Sequence, residues 1–141
     1  MDPAILAKHL LRIEESVELL KQRAKPAELE TDVRELYFVA YALQTAIQAA
    51  LDVAAMIVSL RRLGEPRTNR EIFRKLAQDG WITMTDGEAW LGIVSFRNIV
   101  VHRYLDVDPI IVRDILEKHL DDLSRFARNV GQRLRHLQPP P

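Results

Sequence analysis

The sequence contains no cysteine among its 141 residues. A disulfide scaffold, a thiolate zinc site and a cysteine nucleophile are therefore excluded. It also has no excess charge of either sign, with 20 Lys and Arg against 20 Asp and Glu. A protein that coats nucleic acid through a generally basic surface needs a clear positive excess, so this class is excluded too. The balance does not exclude a local basic face.

Several familiar site and targeting patterns are also missing. No glycine is followed by Lys-Ser or Lys-Thr, which excludes a P-loop, and no His-Glu-x-x-His pair is present to bind zinc. Asp2 and Pro3 stand where a secretory signal would be basic, and no apolar run ends in a cleavage site. We therefore expect a cytoplasmic protein that uses no metal and no cofactor.

The positive charge is concentrated in the second part of the chain. Residues 1–60 carry 6 basic and 9 acidic side chains, whereas residues 61–141 carry 14 basic and 11 acidic ones. One basic cluster, at 61–75, includes Arg70 and Arg74. It is either a solvated helix face or a surface that contacts phosphates or a partner, and we keep both interpretations.

Helical periodicity covers nearly the whole chain, and no alternating strand pattern of useful length is present. Apolar residues spaced by three and four predict a first helix that starts near Pro3. A second, long helix is expected from about Glu28 to Leu63, where Gly64 stops it. Its length and broad apolar surface predict the central helix of the fold and a contribution to a dimer.

Capping signals predict the remaining helices. Thr68 and Thr85 each begin a Thr-x-x-Glu capping box, so we expect a short third helix and a fourth helix that runs to about Tyr104. Asp108 and Pro109 should begin a fifth helix that ends at the proline tail, 139–141. The predicted fold is all-α: one domain over 1–138, an up-and-down bundle of about five helices, dimeric.

One stretch, from Leu36 to Leu60, is apolar enough to suggest a membrane span. It contains Gln44, Gln48 and Asp52, which are spaced by four and share one helical stripe. An Asp at the centre of a span costs about 2.5–3.5 kcal/mol, so a buried helix without membrane contact is the better interpretation. The stripe either forms hydrogen bonds inside the bundle or lines a functional cleft.

The candidate catalytic residues lie at the end of the predicted fourth helix. Asn98 and His102 are four residues apart and share a face, whereas Arg97 lies about 140° from His102 around the helix. Tyr104 points in yet another direction. Either the helix unwinds before Tyr104, or two copies of the motif meet across a symmetric interface.

Arginine and histidine together suit the cleavage of an RNA phosphodiester. Imidazole can accept and donate a proton near neutral pH, so His102 could assist attack by a ribose 2′-hydroxyl. The guanidinium of Arg97 could stabilise the charge that develops on the phosphate. The spacing alone also fits a helix-terminal histidine beside a surface arginine.

The motif Arg97-Asn98-(x3)-His102-Arg103-Tyr104 resembles the Arg-x4-His-x-Tyr signature of the HepT-like ribonuclease toxins of the HEPN superfamily. The stretch at 46–54 and the order of helices are similar as well. The resemblance implies an all-α homodimer that cuts RNA without metal at a composite site in the dimer interface. It implies Arg97 and His102 as catalytic residues, with Asn98 in support.

The resemblance also implies a partner. In this family a minimal nucleotidyltransferase (MNT) antitoxin transfers AMP to the motif tyrosine, which corresponds here to Tyr104. The chain has no Gly-Ser pair, which such transferases carry, so the modifying activity must come from another protein. Asp52 is expected to support the site, and Arg103, Arg70 and Arg74 to contact RNA or the partner. The alternative function is a non-catalytic helical module that binds a nucleotidyltransferase domain.

Overall fold

The computed structural model describes residues 2–102 and 107–137, with side chains for 2–97 and 107–137. Over these ranges the chain forms six α-helices and a short 3₁₀ turn at Pro26–Glu28, with no strand. The all-α prediction is confirmed. The helices are α1 (Pro3–Arg23), α2 (Val33–Leu60), α3 (Asn69–Gln78), α4 (Met84–His102), α5 (Pro109–Lys118) and α6 (Leu120–Leu137).

The predicted start of the long helix at Glu28 is wrong. The chain first makes the 3₁₀ turn and buries Leu29, and α2 begins only after Asp32. The Asp32 carboxylate accepts a hydrogen bond from the Arg34 backbone N–H at 2.9 Å, which satisfies a donor that a helix start leaves unpaired. At about 1.5 Å per residue, α2 is still roughly 40 Å long.

The start of α4 also differs from the prediction. Its first turn is capped by Thr83, whose hydroxyl accepts from the Asp86 backbone N–H at 3.0 Å, and not by Thr85. Thr68 caps α3 as predicted, through its bond from the Glu71 N–H at 3.1 Å. Asp108 likewise caps α5 as predicted.

The predicted fifth helix is in fact two helices, which meet at His119. The His119 N–H donates to the Ile115 carbonyl, and its own carbonyl accepts from the Leu123 N–H. One residue therefore ends α5 and begins α6 with both backbone groups bonded. The His119 ring nitrogen Nδ1 lies 2.7 Å from a carboxylate oxygen of Asp122, which is in the first turn of α6. This contact stabilises the bend between the two helices. No proline or glycine marks this break in the sequence.

The long helix α2 is the centre of the bundle. It contacts α1, α3, α4, α5 and α6, and residues such as Val39, Leu43, Ile47 and Ile57 are fully buried along it. By length and composition α2 could cross a membrane, but 56% of its most apolar window is buried inside the protein. Burial by neighbouring helices accounts for its apolar composition.

Three aromatic rings join α3, α4 and α6. The Phe73 and Trp90 rings stack with centroids 4.5 Å apart, and Phe126 packs against both at a tilt. Near the start of α4, the Arg125 Nε donates to both oxygens of the buried Asp86 carboxylate, at 3.2 and 3.0 Å. This bond raises the pKa of the Arg125 guanidinium. Side-chain contacts therefore fix α4 at two points, both N-terminal to Arg97.

Candidate functional site

Arg97 lies on α4, about two turns after Trp90, and its side chain is half-buried. Its neighbours Val94 and Phe96 are buried, so packing fixes the helix rotation that directs Arg97 toward α2. Its Nε donates a hydrogen bond to the Gln48 Oε1 at 2.9 Å. This contact joins residues 49 positions apart in sequence and brings the predicted catalytic arginine to the polar stripe of α2.

Gln48 is held in turn by Asp52, one turn further along α2. The Gln48 Nε2 donates to the Asp52 Oδ1 at 2.8 Å, so both ends of the amide are engaged and its orientation is set. The chain Asp52–Gln48–Arg97 engages the guanidinium through Nε. The two terminal nitrogens of the Arg97 guanidinium form a fork that could bind a phosphate. Asp52 reaches Arg97 only through Gln48, and its supporting role in the site stays a prediction.

Four of the predicted site residues cannot be placed. The side chains of Asn98 and His102 lie outside the described residues, as do Arg103 and Tyr104 entirely. The helix α4 ends at His102, so Arg97 and His102 belong to one helix. The roles predicted for these residues stay predictions.

The structure places Arg70 and Arg74 away from this chain of contacts. Both side chains are exposed on α3, and α3 packs against the first half of α4 through the Phe73–Trp90 stack. No hydrogen bond within the described residues joins them to Arg97, Gln48 or Asp52. A role in contacting RNA or a partner stays a prediction, and a direct role beside Arg97 is not supported.

A groove between α1 and α2 adjoins the Gln48–Asp52 pair, and sequence reasoning missed part of it. Its volume is about 270 Å³. Its lining is formed by His9, Arg12, Tyr41, Gln44, Thr45, Gln48, Ala49 and Asp52. His9 and Arg12 were not expected in a site, because a lone histidine or arginine on a helix carries little signal. Tyr41 lies three residues before Gln44, so it shares the helix face of the stripe and could have been found that way.

The arrangement of Arg97, Gln48 and Asp52 can bind an anion, and the described residues form no metal centre. Among residues 2–97 and 107–137, no three His, Cys, Asp or Glu side chains come close enough to hold a metal ion. What the geometry provides is a positioned guanidinium, with a polar groove beside it. Both suit a phosphodiester with an attached nucleotide.

The chain is similar to known nucleases in sequence. The family model "Ribonuclease HepT-like" matches residues 12–130. The mRNA nuclease HepT of Shewanella oneidensis is 34% identical over 84 residues, which cover 60% of this chain and 63% of that protein. A protein of Archaeoglobus fulgidus, provisionally named an RNase, is 31% identical over 134 residues, which cover 94% of this chain and 97% of that one.

The fold is similar to that of a solved toxin. A tri-AMPylated HEPN toxin of Shewanella oneidensis, solved in complex with an MNT antitoxin, superposes with a TM-score of 0.82 at 26% identity. The superposition covers 94% of this chain and 99% of the toxin. With the sequence matches over most of its length, the chain belongs to the HepT-like ribonuclease family.

Proposed function

We propose that this protein is the endoribonuclease toxin of a HEPN/MNT toxin–antitoxin pair and acts in the cytoplasm. The observation that carries the proposal is the Arg97 guanidinium, held at Nε by the Gln48–Asp52 pair in a chain of this family. A half-buried arginine bonded to an amide that a carboxylate holds has a defined direction, as the recognition of a phosphate requires. The names of its relatives, an mRNA nuclease and a HEPN toxin, support the same activity.

In the proposed reaction, the His102 imidazole removes the proton from a ribose 2′-hydroxyl. The 2′-oxygen attacks the adjacent phosphorus as the bond from phosphorus to the 5′-oxygen breaks. The leaving 5′-oxygen takes up a proton, and the products are a 2′,3′-cyclic phosphate and a 5′-hydroxyl. The terminal nitrogens of Arg97 stabilise the negative charge that develops on the phosphate oxygens.

The active unit is proposed to be a homodimer. Arg97 and His102 are five residues apart, so on one helix they point about 140° apart. A two-fold axis near the end of α4 would bring two arginines and two histidines around one cleft. The arginine of one copy could then face the same phosphate as the histidine of the other.

The purified protein is expected to cleave RNA in excess EDTA, because both proposed catalytic groups are side chains. Product length on denaturing gels, with the cyclic phosphate identified by mass spectrometry, measures this. A His102→Ala variant prepared in parallel controls for contaminating nucleases. Loss of cleavage in EDTA that returns with added Mg²⁺ would contradict the metal-independent mechanism. No cleavage under any condition would favour the non-catalytic binding module.

The partner is proposed to be a minimal nucleotidyltransferase that silences the toxin by transferring AMP from ATP to the Tyr104 phenol oxygen, with release of pyrophosphate. The new phosphodiester would put bulk and negative charge near His102, where the RNA phosphate must bind. The AMPylated toxin solved with an MNT antitoxin supports this partner class.

Incubation with the cognate transferase and ATP is expected to add the mass of at least one AMP to the wild-type chain. The Tyr104→Phe variant should gain none, because it lacks the phenol oxygen. Intact-mass spectrometry measures both, and Tyr37→Phe is a matched control on an exposed tyrosine of α2. Equal AMP addition to Tyr104→Phe would show that the modified residue lies elsewhere.

A further inference from the structure

The groove between α1 and α2 has two chemically different walls. The α1 wall supplies His9 and the exposed Arg12, both hydrogen-bond donors. The α2 wall supplies an aromatic ring, two side-chain amides and the Asp52 carboxylate. Because Asp52 would repel a phosphate, an anion fits only the α1 wall. The α2 wall suits an uncharged, planar, polar group.

Two side chains on the α2 wall lack the contacts that such side chains usually make within a protein. The Tyr41 side chain is 74% exposed, although a large ring is normally covered in part by its neighbours. The Gln44 Oε1 atom is buried, yet no donor among the described residues bonds to it. A buried acceptor without a partner is costly, so a ligand in the groove that brings an N–H donor would favour turning the Gln44 amide toward it.

The groove also has a fixed position relative to Arg97. Gln44 lies one helical turn, about 6 Å, from Gln48 along α2, and Gln48 bonds directly to Arg97. A ligand in the groove and a phosphate at Arg97 would therefore be close neighbours. One molecule could fill both positions if it carried a flat base with N–H donors next to a phosphate. A nucleotide of single-stranded RNA has this combination.

We propose that this groove binds the nucleotide next to the scissile phosphate, with its base stacked on Tyr41 and bonded to Gln44, and its outer phosphate at Arg12. The assignment rests on the proposed ribonuclease function and names the part of the substrate that the monomer itself recognises. Gln44 selects bases whose N–H donors reach the groove floor. Tyr41 contributes stacking that every base can accept.

The test is the binding of a short, fluorescein-labelled 2′-O-methyl oligoribonucleotide, which cannot be cut because it lacks the attacking hydroxyl. Fluorescence anisotropy is expected to show a loss of affinity of about tenfold or more for Tyr41→Ala, and little change for Tyr41→Phe, because stacking needs the ring alone. Arg12→Gln should lower the slope of log affinity against log salt concentration by about 0.7, the value for one phosphate on a single strand.

Tyr37→Ala is the matched control, since Tyr37 is an exposed tyrosine one turn earlier on α2 and outside the groove. Wild-type affinity in Tyr41→Ala would overturn the proposal. So would a shift of Tyr41→Ala from dimer to monomer in sedimentation equilibrium, because the face would then be an interface between copies.

Cleavage assays separate this proposal from the proposed function. A raised KM with unchanged kcat for Tyr41→Ala supports the groove, whereas unchanged KM and kcat overturn the groove and leave the ribonuclease intact. If the wild-type protein binds the uncleavable probe through Tyr41 but cuts no RNA, the groove stands and the ribonuclease assignment fails.

Discussion

Replacing Arg97 by alanine is expected to reduce kcat for RNA cleavage by about 10²–10³-fold, the usual cost of removing one group that stabilises charge in the transition state. Replacing His102 by alanine should cost a similar factor, about 10²–10⁴-fold, because it removes the proposed general base. The double variant should be little worse than the worse single variant, since groups that act as a unit do not add. Single-turnover assays with a labelled RNA measure these rates.

Gln48 gives this prediction a graded test. Gln48→Leu keeps the side-chain size but removes the bond at Arg97 Nε, so we expect a smaller loss in kcat, about tenfold. Because Gln48 acts through Arg97, adding Gln48→Leu to Arg97→Ala should cost nothing further. Arg34→Ala, which changes an exposed arginine at the start of α2, is the matched control. Additive losses in the double variant would show that Gln48 does not act through Arg97.

Replacing Trp90 by alanine is expected to lower the free energy of unfolding by about 3–5 kcal/mol, the cost of deleting a large buried aromatic side chain. Trp90 is fully buried and packs against both Phe73 and Phe126, so the cavity would lie where α3, α4 and α6 meet. Because domains are commonly stable by about 5–15 kcal/mol, this single change removes a large share of the total.

Urea unfolding followed by circular dichroism measures this loss. Trp90→Phe should cost less, because it keeps a ring against Phe73, and it provides a folded variant if Trp90→Ala does not fold. Met84→Ala is the control on the same helix, since Met84 is 66% exposed, and it should change stability by less than about 0.5 kcal/mol. Equal losses at Met84 and Trp90 would contradict the central role of the aromatic cluster.

The local features of this fold were predictable from sequence because they depend on neighbours within about one helical turn. Pro3, Thr68 and Asp108 mark helix starts through their own backbone preferences or caps. In the structure α1 begins at Pro3, and α3 and α5 begin directly after Thr68 and Asp108. One error came where two local signals competed. Thr83 precedes α4 and Thr85 lies in its first turn, and the hydroxyl of Thr83 is the one that caps the helix.

The break at His119 shows the opposite case, in which no local signal exists. The segment 118–120 has no helix breaker, and an isolated chain could continue the helix through it. The bend exists because α5 and α6 both pack on α2, and the His119–Asp122 and Arg125–Asp86 contacts hold that arrangement. Tertiary contacts override propensity here.

The sequence by itself determined that the chain is helical, that it lacks thiol chemistry, and that Arg97 and His102 lie five residues apart near the end of one helix. Only the tertiary structure decided which side chain orients Arg97. Gln44, Gln48 and Asp52 are equivalent members of one stripe in the sequence, and the rotation of α4 against α2 selects Gln48. Packing sets that rotation, and packing depends on residues distant in the chain. The groove of Arg12 and Tyr41 arises in the same way, from the placement of α1 beside α2.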